Sequence, residues 1–245
     1  MERDEGIDRL ASKEMARREA MKRAFEEAEH PPAGGPLLTI SRDYFCGGGT
    51  VAKKLAAKLG WNLYDRELIE SIAKDRKVEA RAIEELDENV YQYIQDWANE
   101  IFLADYVGQT AYMKSLARIL VSIVKEGNAI VIGRGAHLLI PRHKRLAVRL
   151  TAPLPWRVEA YMRRLDAPAE EAGAKIAAED RRRREYITRN FHGDIDDPLS
   201  YDLVINTEGM DPSTIQQVIV AALRSRFDLT DSALTPIHRD KDSSL

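Results

Sequence analysis

Gly47-Gly48-Gly49-Thr50 follows the apolar run Leu37-Leu38-Thr39-Ile40-Ser41 and leads into Val51-Ala52-Lys53-Lys54-Leu55-Ala56-Ala57-Lys58-Leu59-Gly60. The first run reads as a short buried strand and the second as a helix stopped by glycine. Glycines between them let a ligand approach the backbone closely and allow positive φ. The unpaired N–H groups of a helix start carry partial positive charge, so an anion is stabilised there. A hydroxyl at Thr50 stands where it could reach a magnesium ion bound to phosphates. The usual phosphate loop reads G-x-x-x-x-G-K-[ST]. With one further Gly before Thr50, its lysine position falls on Gly48 and its first glycine on Arg42. The loop therefore lacks its lysine, and Arg42 at the strand end is the best substitute cation. The same residues also fit a glycine-rich turn that holds nothing.

Arg181-Arg182-Arg183-Arg184 is the other concentration of charge with a chemistry to offer. Arginine forks bind phosphate oxygens bidentately and never lose their charge at neutral pH. On a helix these four cannot all face one way, so some must be a solvated face paired with Glu170, Glu171, Glu179 and Glu185. Arg182 reads that way. Cys46 at a helix N-terminus could be an activated thiol, but a small filler in the turn explains it equally simply. His30, His137, His143, His192 and His238 show no metal-ligand spacing.

These residues need a scaffold, and the chain alternates. Strand-like runs occur at 37–41, 61–64, 129–133, 146–150 and 201–206. Helical runs occur at 51–60, across much of 66–120, and at 156–165, 169–191 and 212–227, the last with Asp211 or Ser213 near its cap. Short apolar strands without in/out alternation, separated by helices, require a parallel sheet covered on both faces. The expected fold is thus α/β, with a five-stranded parallel sheet at residues 36–228. Residues 1–35 read as a charged N-terminal helix and a Pro/Gly linker, an appendage open to self-association or a partner. Residues 229–245 read as a disordered tail.

The 245 residues carry 37 Lys+Arg against 40 Asp+Glu, for a net charge of -3, which is not the bulk of a strongly basic nucleic-acid packager. No recognisable nucleic-acid module accompanies the arginine run, so a nucleic-acid partner is not expected. A single cysteine excludes an internal disulfide and a multi-cysteine metal site. The charged N-terminus and the shortness of every apolar run speak against a secretory signal and a membrane span. A soluble, cytoplasmic protein is expected.

Taken together, Thr39-Ile40-Ser41-Arg42-Asp43-Tyr44, Gly47-Gly48, the helix ending Leu59-Gly60 and Tyr64-Asp65-Arg66-Glu67 resemble the cytidylate kinase-like family, a branch of the phosphate-loop nucleoside monophosphate kinases. Val131 to Ala136, Val148 to Pro153, Arg157, Arg163-Arg164, Asp180, Arg183, Tyr186 and Tyr201 to Thr207 agree in order and spacing. The resemblance implies a phosphate-loop fold with a helical acceptor region and an arginine-bearing lid at 180–191. It implies transfer of the γ-phosphoryl group of ATP to a nucleoside monophosphate such as CMP, with Mg²⁺. It places Gly47, Gly48, Gly49 and Thr50 in the cradle for ATP, with Thr50 at the metal. Arg134 and Asp65 fall on the acceptor side and Arg183 in the lid. Arg42, Arg134 and Arg183 are the candidate catalytic cations. Cytidylate kinases proper have an Asp-Gly-Arg-Asp segment after the third strand, and here Ile132-Gly133-Arg134-Gly135 lacks both carboxylates. Asp43 and Asp65 are the remaining carboxylates near the loop. A non-catalytic nucleotide- or anion-binding module that has lost the lysine, or a kinase for a non-nucleotide small molecule, fits the same residues.

Overall fold

The computed structural model describes residues 34–74 and 111–229. The reading of 1–33 as an appendage, of 230–245 as a tail and of 75–110 as helical lies outside them. Five strands, β1 (Leu37–Arg42), β2 (Asn62–Tyr64), β3 (Ala129–Ile132), β4 (Arg145–Thr151) and β5 (Leu203–Asn206), form one sheet. All pair in parallel, in the order β2-β3-β1-β4-β5. The helices are α1 (Gly48–Leu59), α2 (Arg66–Lys74), α3 (Ala111–Glu126), α4 (Ala136–Leu139), α5 (Leu154–Leu165), α6 (Ala169–Phe191) and α7 (Pro212–Phe227).

Alternation along the central strand decides which helices lie on which face. Leu37 packs with Leu116 and Leu120 of α3 and with Ile187 and Phe191 of α6. Leu38 and Ile40 pack on the other face with Val51 and Leu55 of α1 and Ile219 of α7. A third cluster joins Tyr161 of α5 with Ala172 and Ile176 of α6, and Tyr44 and Phe45 pack against it. No described helix is long and apolar enough to cross a membrane.

β1 lies between β3 and β4, and the chain leaves it for β2 on one side and returns as β4 on the other. Ligands of open α/β sheets bind at such a reversal, outside the carboxyl ends of the strands. That is where Arg42 hands over to the glycines.

Element ends differ from expectation for local reasons. α1 starts at Gly48 rather than Val51, because two of the glycines enter its first turn. Trp61 is not in β2, since its N–H closes the end of α1 on the Ala56 carbonyl, beside left-handed Gly60. Tyr201 precedes β5, buried, with its hydroxyl donating to the Ile195 carbonyl. Asp211 is the cap of α7, accepting the Ser213 N–H at 2.7 Å. The described end of the Pro/Gly segment is docked on the domain. A Cβ on Gly34 would stand 2.3 Å from the Val124 carbonyl, and one on Gly127 would stand 2.0 Å from the Gly35 nitrogen.

Candidate active site

The loop between β1 and α1 is open where a phosphate cradle must be open. The Asp43 N–H donates to the Leu150 carbonyl and the Tyr44 N–H to Asp180 Oδ1, at 3.0 and 2.8 Å. Thr50 and Val51 turn their N–H groups to the Gly47 carbonyl. The Gly48 N–H faces the Cys46 sulfur. Among the described residues, the N–H groups of Phe45, Cys46, Gly47 and Gly49 find no protein acceptor. Phe45 (φ 66°) and Gly47 (φ 81°) are both left-handed with Cys46 between them. Alternation of that kind turns successive N–H groups into one concavity, an anion nest. α1 begins there with no side-chain cap and no acidic residue in its first turn. Leaving those groups uncapped is unfavourable unless an anion takes the place of the cap.

The Arg42 side chain packs against Gly48, where the usual loop has its lysine. A Cβ on Gly48 would lie 3.0 Å from Arg42 Cβ and 3.2 Å from Leu150 Cδ1, so the base of the arginine occupies the space a lysine would need. Its guanidinium reaches across the loop toward Gly133, with Nη1 3.2 Å from where a Cβ there would stand. No hydrogen bond or ion pair from another described residue meets it. Burial, then the charge of Arg183, holds its pKa down to about 10, so it stays charged at neutral pH. Arg183 is half-buried, and its Nη1 donates to the Arg42 carbonyl at 3.1 Å, with its guanidinium 5.2 Å from the centre of the Tyr44 ring. Its own pKa is lowered, chiefly by burial. Two half-buried cations beside an open nest, with Arg183 disfavouring the charge of Arg42, suit concentrated negative charge.

The acceptor-side residues are less free. Asp65 caps α2, with Oδ1 accepting the Leu68 N–H at 2.9 Å, while its charge still acts on Arg42. Arg134 is paired with Glu70 at 2.7 Å and lies 4.5 Å from the centre of the Tyr186 ring. Thr50 is exposed in the first turn of α1.

Two expectations change. Asp43 is not available to a metal, because its carboxylate takes Arg149 Nη2 at 2.6 Å, Thr151 Oγ1 at 2.5 Å and the Ala152 N–H at 3.4 Å. Residues 180–191 are not a separate lid, since they are the second half of the unbroken helix α6. Its Ile187 and Phe191 sit in the main core, and a Cβ on Gly135 would strike the Phe191 ring at 2.2 Å. Arg149, Arg157 and Asp180 were given no role from sequence. Arg149 binds both Asp43 and Asp196, and Arg184 also binds Asp196, so α6 is tied to the strand ends. An arginine inside the apolar run of β4 was the available signal, because a charge there must be paired. Arg182 is, as expected, a surface residue paired with Glu179 at 2.7 Å.

Cys46 is a filler. It is 1% exposed, its Sγ lies 3.5 Å from the Leu150 carbonyl, and burial raises its pKa. A disulfide reagent at pH 8 is expected to leave native protein unlabelled and to label one thiol per chain after denaturation. Rapid labelling of the native protein would show that the turn opens.

This geometry matches known proteins in sequence as well as in shape. The model of the cytidylate kinase-like family matches residues 37–209, which includes the loop, β4 and the whole of α6. The chain belongs to that family. A curated cytidylate kinase of Pyrococcus furiosus is 27% identical over 193 residues, covering 78% of this chain and 90% of the relative. One from Pyrococcus abyssi is 26% identical over 198 residues, covering 80% and 98%. One from Pyrococcus horikoshii is 31% identical over 110 residues, and there the match spans 57% of the relative's length. An uncharacterized protein of Eubacterium ventriosum, known from its crystal structure, superposes with a TM-score of 0.55 at 18% identity. That superposition covers 78% of this chain and 98% of that one, and it carries the fold.

The donor set at this family loop suits a metal carried by its ligand. Among the described residues no group of three or more His, Cys, Asp or Glu could cage an ion. Magnesium, which keeps several waters and takes few protein oxygens beside phosphate, needs no cage. The exposed Thr50 hydroxyl and the oxygen of Asp65 not used in capping are the residues that would hold it.

Proposed function

We propose that this protein transfers the γ-phosphoryl group of ATP to a nucleoside monophosphate, of which CMP is the first candidate. The observation that carries the reading is the bare run of loop amides beside Arg42, a cation that no carboxylate among the described residues pairs by direct contact. The amides of Phe45, Cys46, Gly47 and Gly49 bind phosphate oxygens. Arg42 supplies the fixed charge that a loop lysine supplies elsewhere, and Arg183 adds a second from α6. Bound magnesium would neutralise charge between the β- and γ-phosphates. Arg134 takes the acceptor phosphate after giving up Glu70. Little covalent chemistry is required of the chain, because phosphoryl transfer is carried by positioning and charge neutralisation.

The state of the carboxylates supports a phosphate acceptor over a hydroxyl. A hydroxyl nucleophile needs a base to accept its proton, whereas a monophosphate oxygen is already ionised at neutral pH. Asp43 and Asp180 are both consumed by arginines, and Asp65 gives one oxygen to its cap and keeps only the one that would hold the metal. The same observation favours a second reading, a nucleotide-binding module without turnover, because no described carboxylate is dedicated to the metal. A coupled ADP-release assay over a panel of monophosphates separates them. Turnover stimulated at least tenfold by one monophosphate is the expected result. Tight ATP binding with no turnover on any acceptor would establish the module. Slow ATP hydrolysis indifferent to every nucleotide would point to another small-molecule acceptor.

A further inference from the structure

We propose that Asp180 and Arg157 are positioning residues that set the shape of the phosphate loop from outside it, a proposal that rests on the phosphate-loop reading above. Both are buried, at 6% and 7% exposure. Arg157 donates Nη1 to Asp180 Oδ2 at 2.5 Å and to the Tyr44 carbonyl at 3.1 Å, and its Nε to the Ala152 carbonyl at 2.9 Å. Asp180 Oδ1 takes the Tyr44 N–H. Both polar groups of Tyr44 are therefore gripped, the N–H from α6 and the carbonyl from α5.

The consequence lies one residue further on. Phe45 is left-handed at φ 66°, a conformation that is unfavourable for a residue with a large side chain. Its ring is held 5.3 Å from Tyr44 and 4.6 Å from Tyr161, centre to centre. With Tyr44 fixed and the Phe45 ring seated on α5, the left-handed turn is forced, and the amides from Phe45 onward face away from protein acceptors. Loss of the grip lets Phe45 relax to ordinary φ, and the nest disappears. Asp180 also places Arg183, one helical turn further along α6, against the Arg42 carbonyl. One buried pair thus sets both the amide concavity and a phosphate-facing cation.

A merely structural ion pair makes a different prediction. Replacing a buried pair by apolar side chains of similar size leaves folding close to neutral. Arg157→Met with Asp180→Leu is therefore expected to melt within a few degrees of wild type while the KM for ATP rises at least tenfold and the acceptor KM changes less than twofold. Asp180→Asn keeps an acceptor for the Tyr44 N–H but turns an NH2 toward Arg157, and is expected to raise the KM for ATP by less than the double variant does. An unchanged KM for ATP in the double variant overturns the proposal. Amide hydrogen exchange on the wild-type protein tests it without any substitution. The Tyr44 amide is expected to be protected with or without ATP, and those of Phe45, Cys46 and Gly47 only with it. Protection of Tyr44 gained on adding ATP would make it a ligand donor and overturn the proposal. Wild-type protein that binds no ATP would overturn the phosphate-loop reading itself, whereas binding by wild type and equal binding by the double variant defeats only the role of the pair.

Discussion

Replacing Arg42 with methionine is expected to lower kcat/KM for ATP-dependent transfer by roughly a thousandfold or more while raising the melting temperature. The two effects have one cause. Arg42 is half-buried, meets no counter-ion among the described residues, and is further disfavoured by Arg183. In the free protein that charge is unfavourable, and methionine keeps the length of the side chain without the charge. A gain of about 0.5–2 kcal/mol is the usual scale for relieving such a site, or about 2–4 °C per kcal/mol in a chain of this size. With ATP bound, the same charge faces the phosphates and stabilises the negative charge of the transition state, where a single arginine contributes about 10³–10⁵ in rate. Thermal scans with and without ATP show the crossing directly: the variant melts above wild type without nucleotide and gains nothing from it. A variant that melts lower than wild type would mean that Arg42 is structural, and unchanged turnover would remove it from the mechanism.

What could be read from sequence follows how far apart the cooperating residues lie. The strand, glycines and helix of the cradle are contiguous, so residue type and spacing were enough to place Gly47, Gly48, Gly49 and Thr50 at the turn. Arg42 was legible for the same reason, since it ends the strand. The grip on Tyr44 was not, because its partners lie 113 and 136 residues away and each looks ordinary in its own segment. Asp43 looked available because nothing local reveals that Arg149 reaches it from the neighbouring strand, although a lone arginine inside Leu146-Ala147-Val148-Arg149-Leu150 called for a partner. The family resemblance implied an arginine-bearing lid at 180–191. The buried side of that helix is carried by a few residues, Ile187 and Phe191 among them, too sparse to outweigh four arginines in a row. Arg182 came out as expected because its partner, Glu179, is three residues away and helical spacing suffices.

If the missing lysine and the missing first loop glycine are one coupled change, a double substitution is expected to reverse it. Adding the lysine alone, Gly48→Lys, is expected to destroy binding. Its Cβ would meet Arg42 Cβ at 3.0 Å and Leu150 Cδ1 at 3.2 Å, and a third cation would enter a site that already holds two. Removing the arginine alone, Arg42→Gly, leaves the nest with one cation fewer and is expected to be as inactive as the methionine variant. Together, Arg42→Gly and Gly48→Lys clear the space and move the charge to the other side of the loop, producing the usual spacing of glycine and lysine. The carbonyl of residue 42, which Arg183 uses, is untouched by either change. Because each substitution removes the obstacle to the other, their effects should be strongly non-additive. The double variant is expected to recover transfer to within about tenfold of wild type and at least a hundredfold above either single variant. If it folds, by melting curve and circular dichroism, yet stays as inactive as Arg42→Gly, then the planar fork of the arginine and its reach toward Gly133 are what the site requires, and a loop lysine is no substitute for it.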